Sequence, residues 1–163
     1  MLGAVVDGAG AFVATHRTFL EACANGRVGK APVATPKMTL GSYAGGSIRL
    51  AHGTSGRPWR AAPPGEEIAA GEGIEDALTG ALWLPDRRVI AVVALGNLAR
   101  VALPAGAGIL WLGQNDRPGS GAAQQLGRAI AELRRRGTRV RLLPAPCFVK
   151  DLNEFQQRLA VPA

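Results

Sequence analysis

The rhythm of apolar positions changes near residue 66. Before it, short apolar runs are broken every few residues by turn formers. Ala4-Val5-Val6, the turn Asp7-Gly8-Ala9-Gly10, and Ala11 to Arg17 predict a β-hairpin. Asn25-Gly26 predicts a second turn, and Ser47-Ile48-Arg49-Leu50 a further short strand. Residues 53–66, from Gly53-Thr54-Ser55-Gly56 to Pro63-Pro64-Gly65, read as a linker. The chain is therefore expected to divide into a small antiparallel β module with its linker (1–66) and a second domain (67–163).

After residue 66 strands and helices alternate. Val89 to Ala94 and Gly108 to Leu112 are continuous apolar runs, the mark of strands covered on both faces. Arg139 to Leu143 alternates basic with apolar residues and predicts an edge strand. Leu126, Ile130 and Leu133 recur at spacings of four and three, with Gln125, Arg128, Glu132, Arg135 and Arg136 on the opposite side. That pattern is a helix, capped by Ser120 and ended by Gly137. A shorter helix is expected over 74–83, and another from 152 to about 160 with Leu152, Phe155 and Leu159 on one face. Such alternation implies an α/β fold, a mainly parallel sheet flanked by helices.

Composition adds limits rather than identity. With 47% apolar residues in 163, the chain can bury a real core. No apolar run approaches the roughly 20 residues a membrane span needs, and Met1 to Asp7 lacks the basic start of a secretory leader, so a cytoplasmic location is expected. Cys23 and Cys147 are far apart and neither belongs to a C-x-x-C pair, which excludes a zinc ribbon and leaves two reduced thiols. The net charge is +7, with an excess of +4 before residue 67 and +3 after it. A basic surface suits phosphate contacts; an Arg-preferring, GC-rich genome would give the same balance.

Parallel sheets bind ligands beyond the carboxyl ends of their strands, and three such ends carry polar residues. Ile68-Ala69-Ala70 leads to Gly71-Glu72-Gly73. Strand 108–112 runs into Gly113-Gln114-Asn115-Asp116-Arg117-Pro118-Gly119. Strand 139–143 is followed, after a Pro-containing loop, by Lys150-Asp151-Leu152-Asn153-Glu154. Carboxylates at such ends can hold hard cations such as Mg²⁺.

Those three segments resemble, in order, the motifs of a known family. Glu72 to Thr79 looks like the first motif of the Toprim domain. Gln114-Asn115-Asp116 with Gly119 looks like its Asp-x-Asp motif, and Lys150-Asp151-Leu152-Asn153-Glu154 its closing Lys-Asp-x-Asn-Asp signature. Ala94 to Arg100 with Leu103-Pro104 fits the middle segment. Lys30-Ala31-Pro32, Lys37, Leu40-Gly41 and Gly45-Gly46 resemble the β-rich region that precedes the domain in phage- and plasmid-type DNA primases. The resemblance implies a four-stranded, mainly parallel Toprim-like sheet and metal-dependent nucleotidyl or phosphoryl transfer on DNA or RNA during phage or plasmid replication. It implies Glu72 as the catalytic acid–base residue and Glu72, Asp116 and Asp151 as ligands of Mg²⁺ or Mn²⁺. Lys150, Arg117 and Arg135 are then the candidate nucleic-acid contacts, and a helicase or a zinc-binding primase region on another chain the candidate partner. The sequence departs from the family at Gln114, where the first aspartate belongs; an amide brings no charge, so metal affinity should fall. A non-catalytic nucleic-acid- or partner-binding module, for instance in a phage replication or packaging complex, and a Toprim nuclease are the alternatives.

Simpler roles stand beside these. Asp116 suits a turn, Asp151 and Glu154 a helix cap with its capping-box partner, and Glu75 and Asp76 the first turn of a helix. Arg134-Arg135-Arg136 with Arg139 and Arg141 suit a solvated helix end as well as a DNA-facing patch. His16 and His52 have no acid or nucleophile in view. Gly26 to Ala31 lacks P-loop spacing. Trp83 and Trp111 read as core, and Trp59, in the linker, as a residue that could stack on a base.

Overall fold

A computed structural model describes residues 1–23 and 28–159. The turn signal at Asn25-Gly26, the first residues of the rejected P-loop stretch and the end of the third predicted helix at residue 160 lie outside the described residues.

Strands β1 (Leu2–Val6) and β2 (Phe12–Thr18) form the expected hairpin. Asp7 makes its turn: its carboxylate accepts the Ala11 N–H at 2.9 Å and its carbonyl the Gly10 N–H at 3.0 Å. Strands β3 (Leu20–Ala22) and β4 (Val28–Lys30) pair in a separate ribbon, and β5 (Lys37–Gly41) returns to β2, giving the antiparallel order β1-β2-β5. One face of this sheet buries Val5 and Ala14 against the rest of the molecule; the other exposes Leu2, Phe12 and Leu40.

The next strand, β6 (Ile48–His52), falls by sequence order in this N-terminal module. It joins the larger sheet instead, antiparallel to β8, while Ser47 still bridges back to Val6 with hydrogen bonds of 2.9 and 3.0 Å. The segment read as a linker is also structured. It contains a 3-10 turn at Trp59–Ala61, and Trp59 is only 5% exposed. Its indole N–H donates to the Ala102 carbonyl at 3.1 Å and the Arg49 guanidinium covers its ring at 4.6 Å. Trp59 is thus core, and the idea that it stacks on a base fails because both its burial and its ring face are already taken.

The larger sheet has the order β10-β9-β7-β8-β6. Its four parallel strands are β7 (Glu67–Gly71), β8 (Arg88–Ala91), β9 (Gly108–Leu112) and β10 (Val140–Leu143), with β10 at the edge as its alternation predicts. Helix α1 (Ile74–Trp83) links β7 to β8, α2 (Gly121–Arg135) links β9 to β10, and α3 (Leu152–Leu159) closes the chain. The Ser120 hydroxyl accepts the Ala123 N–H at 3.2 Å and so caps α2. Between β8 and β9 the chain makes a 3-10 helix, Leu95–Arg100.

The period of two decides which side each residue serves. Ile68, Ala70, Ile90, Val92, Ile109 and Trp111 face α2 and the 3-10 helix. Ala69, Val89, Ala91 and Leu112 face α1, α3 and the N-terminal sheet. Gly80 permits the tight seat of α1: a Cβ there would lie 2.5 Å from Leu112 Cδ1.

Two buried polar residues tie the parts together. Arg88, 1% exposed, donates to Glu66 at 2.7 Å, the Ser55 hydroxyl at 2.9 Å and the Arg57 carbonyl at 2.8 Å, fixing the 53–66 segment to the start of β8. Asn97, 3% exposed, accepts from the Gly45 N–H at 2.8 Å and donates to the Gly46 and Val92 carbonyls, each at 2.9 Å. Among the described residues no helix is long and apolar enough to cross a membrane.

Candidate functional site

Because β7 and β9 are neighbours and parallel, the residues that follow them emerge side by side. Glu72 leaves β7, Gln114 to Asp116 leave β9, and the loop after β10 brings Lys150 and Asp151 back across the same end. Glu72, Gln114, Lys150 and Asp151 line one cleft of about 260 Å³. Asp116, half-buried, lies outside the lining but close enough to Glu72 to repel its charge. Of the predicted set, the structure therefore gathers Glu72, Gln114, Asp116, Lys150 and Asp151 at one place. Arg117 is exposed on the same loop.

Arg135 is not part of this gathering. It sits at the far end of α2, about 22 Å along the axis from Ser120 at a rise of 1.5 Å per residue. There it bonds Glu132 through two nitrogens at 2.8 and 2.9 Å, and with Arg136 it holds the Glu132 carboxyl down to about 2. Its neighbours are occupied too. Arg136 also reaches the Ala99 carbonyl, Arg134 the Val140 carbonyl, Arg139 the Gly65 carbonyl and Arg141 the Glu67 carboxylate. The arginine run is an intramolecular network at the amino ends of the strands.

Within the cleft, burial pushes the Glu72 carboxyl above its ordinary range. A hydrogen bond from the Leu95 N–H opposes this, the Asp116 charge adds to it, and Lys37 and Lys150 pull it back down. Just beyond, Val93 takes a positive φ of 74°, a strained conformation for a β-branched residue, at the turn from β8 to the 3-10 helix.

Three groups here were not foreseen from sequence. Asp76 reads as an ordinary first-turn acid, yet it is 6% exposed and joins all three motif loops. Its Oδ2 accepts the Gln114 amide N–H at 3.1 Å and its Oδ1 the Asn153 backbone N–H at 3.1 Å, while the Asp151 charge lies near. Burial first, then Asp151, raises its carboxyl above the ordinary value. Asn115 holds the loops in register: its amide donates to the Pro146 and Val149 carbonyls at 2.7 Å, and its backbone N–H to the Lys150 carbonyl at 2.7 Å.

The third group comes from the N-terminal sheet. Lys37 bonds Glu75 at 2.9 Å, with Lys30 at 3.6 Å, and these pairs hold the Glu75 carboxyl below its ordinary value despite its burial. His16, given no chemistry by the sequence, also lines the cleft. Its Nδ1 pairs with the Thr39 hydroxyl at 2.8 Å, and burial and Lys37 lower its pKa, which favours the neutral ring. The only sequence signal for these residues was the Lys30 and Lys37 pattern; nothing local says that a strand 38 residues earlier will meet Glu75.

Asp151 also caps α3, its Oδ1 accepting the Glu154 N–H at 2.8 Å, and Glu154 answers by accepting the Lys150 N–H at 2.7 Å. The structural role predicted for this pair is therefore real, and it leaves the second carboxylate oxygen of Asp151 available to the cleft. Among the described residues no three His, Cys, Asp or Glu side chains converge closely enough to hold a metal ion alone. The donor set suits Mg²⁺ or Mn²⁺ only in the way Mg²⁺ is usually held, by one or two carboxylates with water and phosphate oxygens. Glu72 and Asp116, two carboxylates that repel one another beside the cleft lysines, fit that description.

A family model described as a domain of unknown function (DUF7146) matches residues 1–50. No curated protein and no solved structure matches the chain. The matched segment spans β1 to β5 and ends within β6, so it contributes His16, Lys30 and Lys37 to the cleft and none of its acids.

Proposed function

We propose that this chain is a primase-related Toprim protein, and that its cleft serves metal-dependent nucleotidyl or phosphoryl transfer on DNA or RNA. The observation that carries the reading is the convergence of three motif-like segments, remote in sequence, on the carboxyl ends of adjacent parallel strands. The sheet has five strands rather than the expected four, because β6 adds an antiparallel edge; its four parallel strands, with helices on both faces, are in keeping with a Toprim-like arrangement.

In this reading Glu72 moves the proton. Its burial, with its neighbour Asp116, raises the carboxyl above its ordinary range, the direction that suits a general acid–base group. Glu72 and Asp116 would hold Mg²⁺ or Mn²⁺, with Asp151 supplying charge across the cleft. Such an ion, when bound, stabilises charge on a phosphoryl oxygen. Lys150, exposed at the rim, and Lys37 attract phosphates electrostatically. Gln114 stands where a further carboxylate would strengthen the ion's hold, so the natural chain binds metal weakly.

One observation favours a second reading. The Gln114 amide donates to Asp76 and so satisfies, without an ion, a buried carboxylate that would otherwise call for one. A protein that keeps the fold but works as a nucleic-acid- or partner-binding module would have this bond. Nucleotidyl-transfer and DNA-nicking assays in Mn²⁺, each with Glu72→Gln beside the natural chain, separate the readings. Activity abolished in the variant supports transfer, and nicking without nucleotides would identify a nuclease. Inactivity in both, with oligonucleotide binding intact, establishes the binding module.

A further inference from the structure

Outside the cleft, the 3-10 helix Leu95–Arg100 is flanked by two grooves, of about 500 and 270 Å³. Gly96 lines both. Val93 lines the cleft and Leu95, two residues on, lines the smaller groove, so the grooves adjoin the cleft. One wall of the larger groove is the loop Gly41-Ser42-Tyr43-Ala44; the other is Asn97 and Arg100.

This wall is built rather than draped. The buried Asn97 carboxamide grips the next two residues of the loop, at the Gly45 N–H and the Gly46 carbonyl. At the loop's start Gly41 has φ +101°, and a Cβ there would lie 2.6 Å from the Val13 carbonyl oxygen. Tyr43 is half-buried, packed in part against the core beneath the N-terminal sheet, and borders the groove. Arg100 and Arg128, one in each groove, are exposed. Neither forms an ion pair among the described residues, in contrast to Arg135, Arg136 and Arg141.

We propose that these grooves carry single-stranded nucleic acid away from the cleft, with Tyr43 stacking on a base and Arg100 and Arg128 meeting successive phosphates. The inference rests on the reading of the cleft as a phosphate-handling site and extends it by a path. A single strand fits better than a duplex because an aromatic wall needs an unstacked base, whereas a duplex offers its phosphates alone. The two arginines answer the backbone charge, and the fixed loop lowers the ordering that binding would otherwise require.

The test uses the full chain and fluorescence anisotropy with a short (roughly tetranucleotide) and a long (roughly dodecanucleotide) oligothymidylate, spanning less and more than one typical site. Arg100→Glu should weaken the long ligand by about tenfold or more and reduce the salt slope by about one. Tyr43→Leu, which keeps apolar packing but removes the ring, should weaken it about fivefold to tenfold with the slope unchanged. The short ligand, held in the cleft, should respond to neither. If both variants bind the long ligand as the natural chain does while Lys150→Ala weakens both ligands, the track is overturned and the cleft reading stands. If the natural chain binds neither ligand at low salt, both readings fall.

Discussion

Gln114→Asp is the substitution whose outcome the structure determines most closely. In the natural chain the Gln114 amide N–H meets Asp76 Oδ2 at 3.1 Å, and the Asp76 carboxyl is already raised by burial and by Asp151. A carboxylate at 114 removes that donor and places a like charge about 4 Å away. At an effective dielectric of about 20 the repulsion is about 4 kcal/mol. One member of the pair can escape it by taking a proton, and doing so near pH 7 caps the penalty at about the same figure. The variant should therefore lose about 2–4 kcal/mol at pH 8 in EDTA, a fall in Tm of about 5–15 °C. The sign of the pH dependence follows from the raised carboxyl. The folded state binds the proton more tightly than the unfolded chain, so stability falls as pH rises through the folded pKa and returns below it. Lowering the pH to about 5 should recover most of the loss. Millimolar Mn²⁺ should do the same, since an ion at a hundred times its Kd adds about 2.7 kcal/mol. Gln114→Ala is the control: it loses a hydrogen bond to a charged group, about 1–3 kcal/mol, and gains no response to metal. The assay is thermal and urea denaturation at both pH values, with EDTA or Mn²⁺. A Gln114→Asp protein as stable as the natural one in EDTA at pH 8 would refute the reasoning, as would a loss that neither acid nor Mn²⁺ relieves.

Other residues carry predictions of the same kind. Glu72→Gln should stabilise the protein by about 1 kcal/mol at pH 8, because it removes a half-buried charge that burial and Asp116 disfavour. The gain should vanish below about pH 4, where the glutamate is already protonated, and urea titrations across pH read it directly. Arg88→Met should cost about 2–4 kcal/mol, since it leaves the half-buried Glu66 without its partner; a stability within about 1 kcal/mol of the natural one would deny Arg88 its anchoring role. Asn97→Leu should cost about 3 kcal/mol for three broken hydrogen bonds. It should also speed amide exchange at Gly45 far more than in β9, and uniform exchange would show that the clamp does not hold the loop.

The order of elements after residue 66 was legible because buried parallel strands and amphipathic helices leave opposite periodicities. Ile74–Trp83 and the Ser120 cap fall where the pattern places them. Strand β6 escaped because Ile48 to Leu50 carries no mark of which sheet it joins; its partner, β8, lies 40 residues on. Trp59 escaped because Pro and Gly around it mask a residue buried by contacts with Ala102 and Arg49. At the site, Glu72 and the loops after β9 and β10 could be named from the rule about strand ends. Asp76 could not, because a first-turn acid looks the same whether solvent or Gln114 and Asn153 receive it. Lys37 and His16 depend on how the N-terminal sheet docks, which no local pattern encodes.

Glu72 and Asp116 are proposed to form the ion-holding side of a phosphoryl-transfer cleft. Calorimetric titration of Mn²⁺ into the natural chain, Glu72→Ala and Asp116→Asn tests it most directly. One ion should bind the natural chain weakly, and that binding should be lost in both variants. Binding that survives both substitutions, or none in the natural chain, would contradict it.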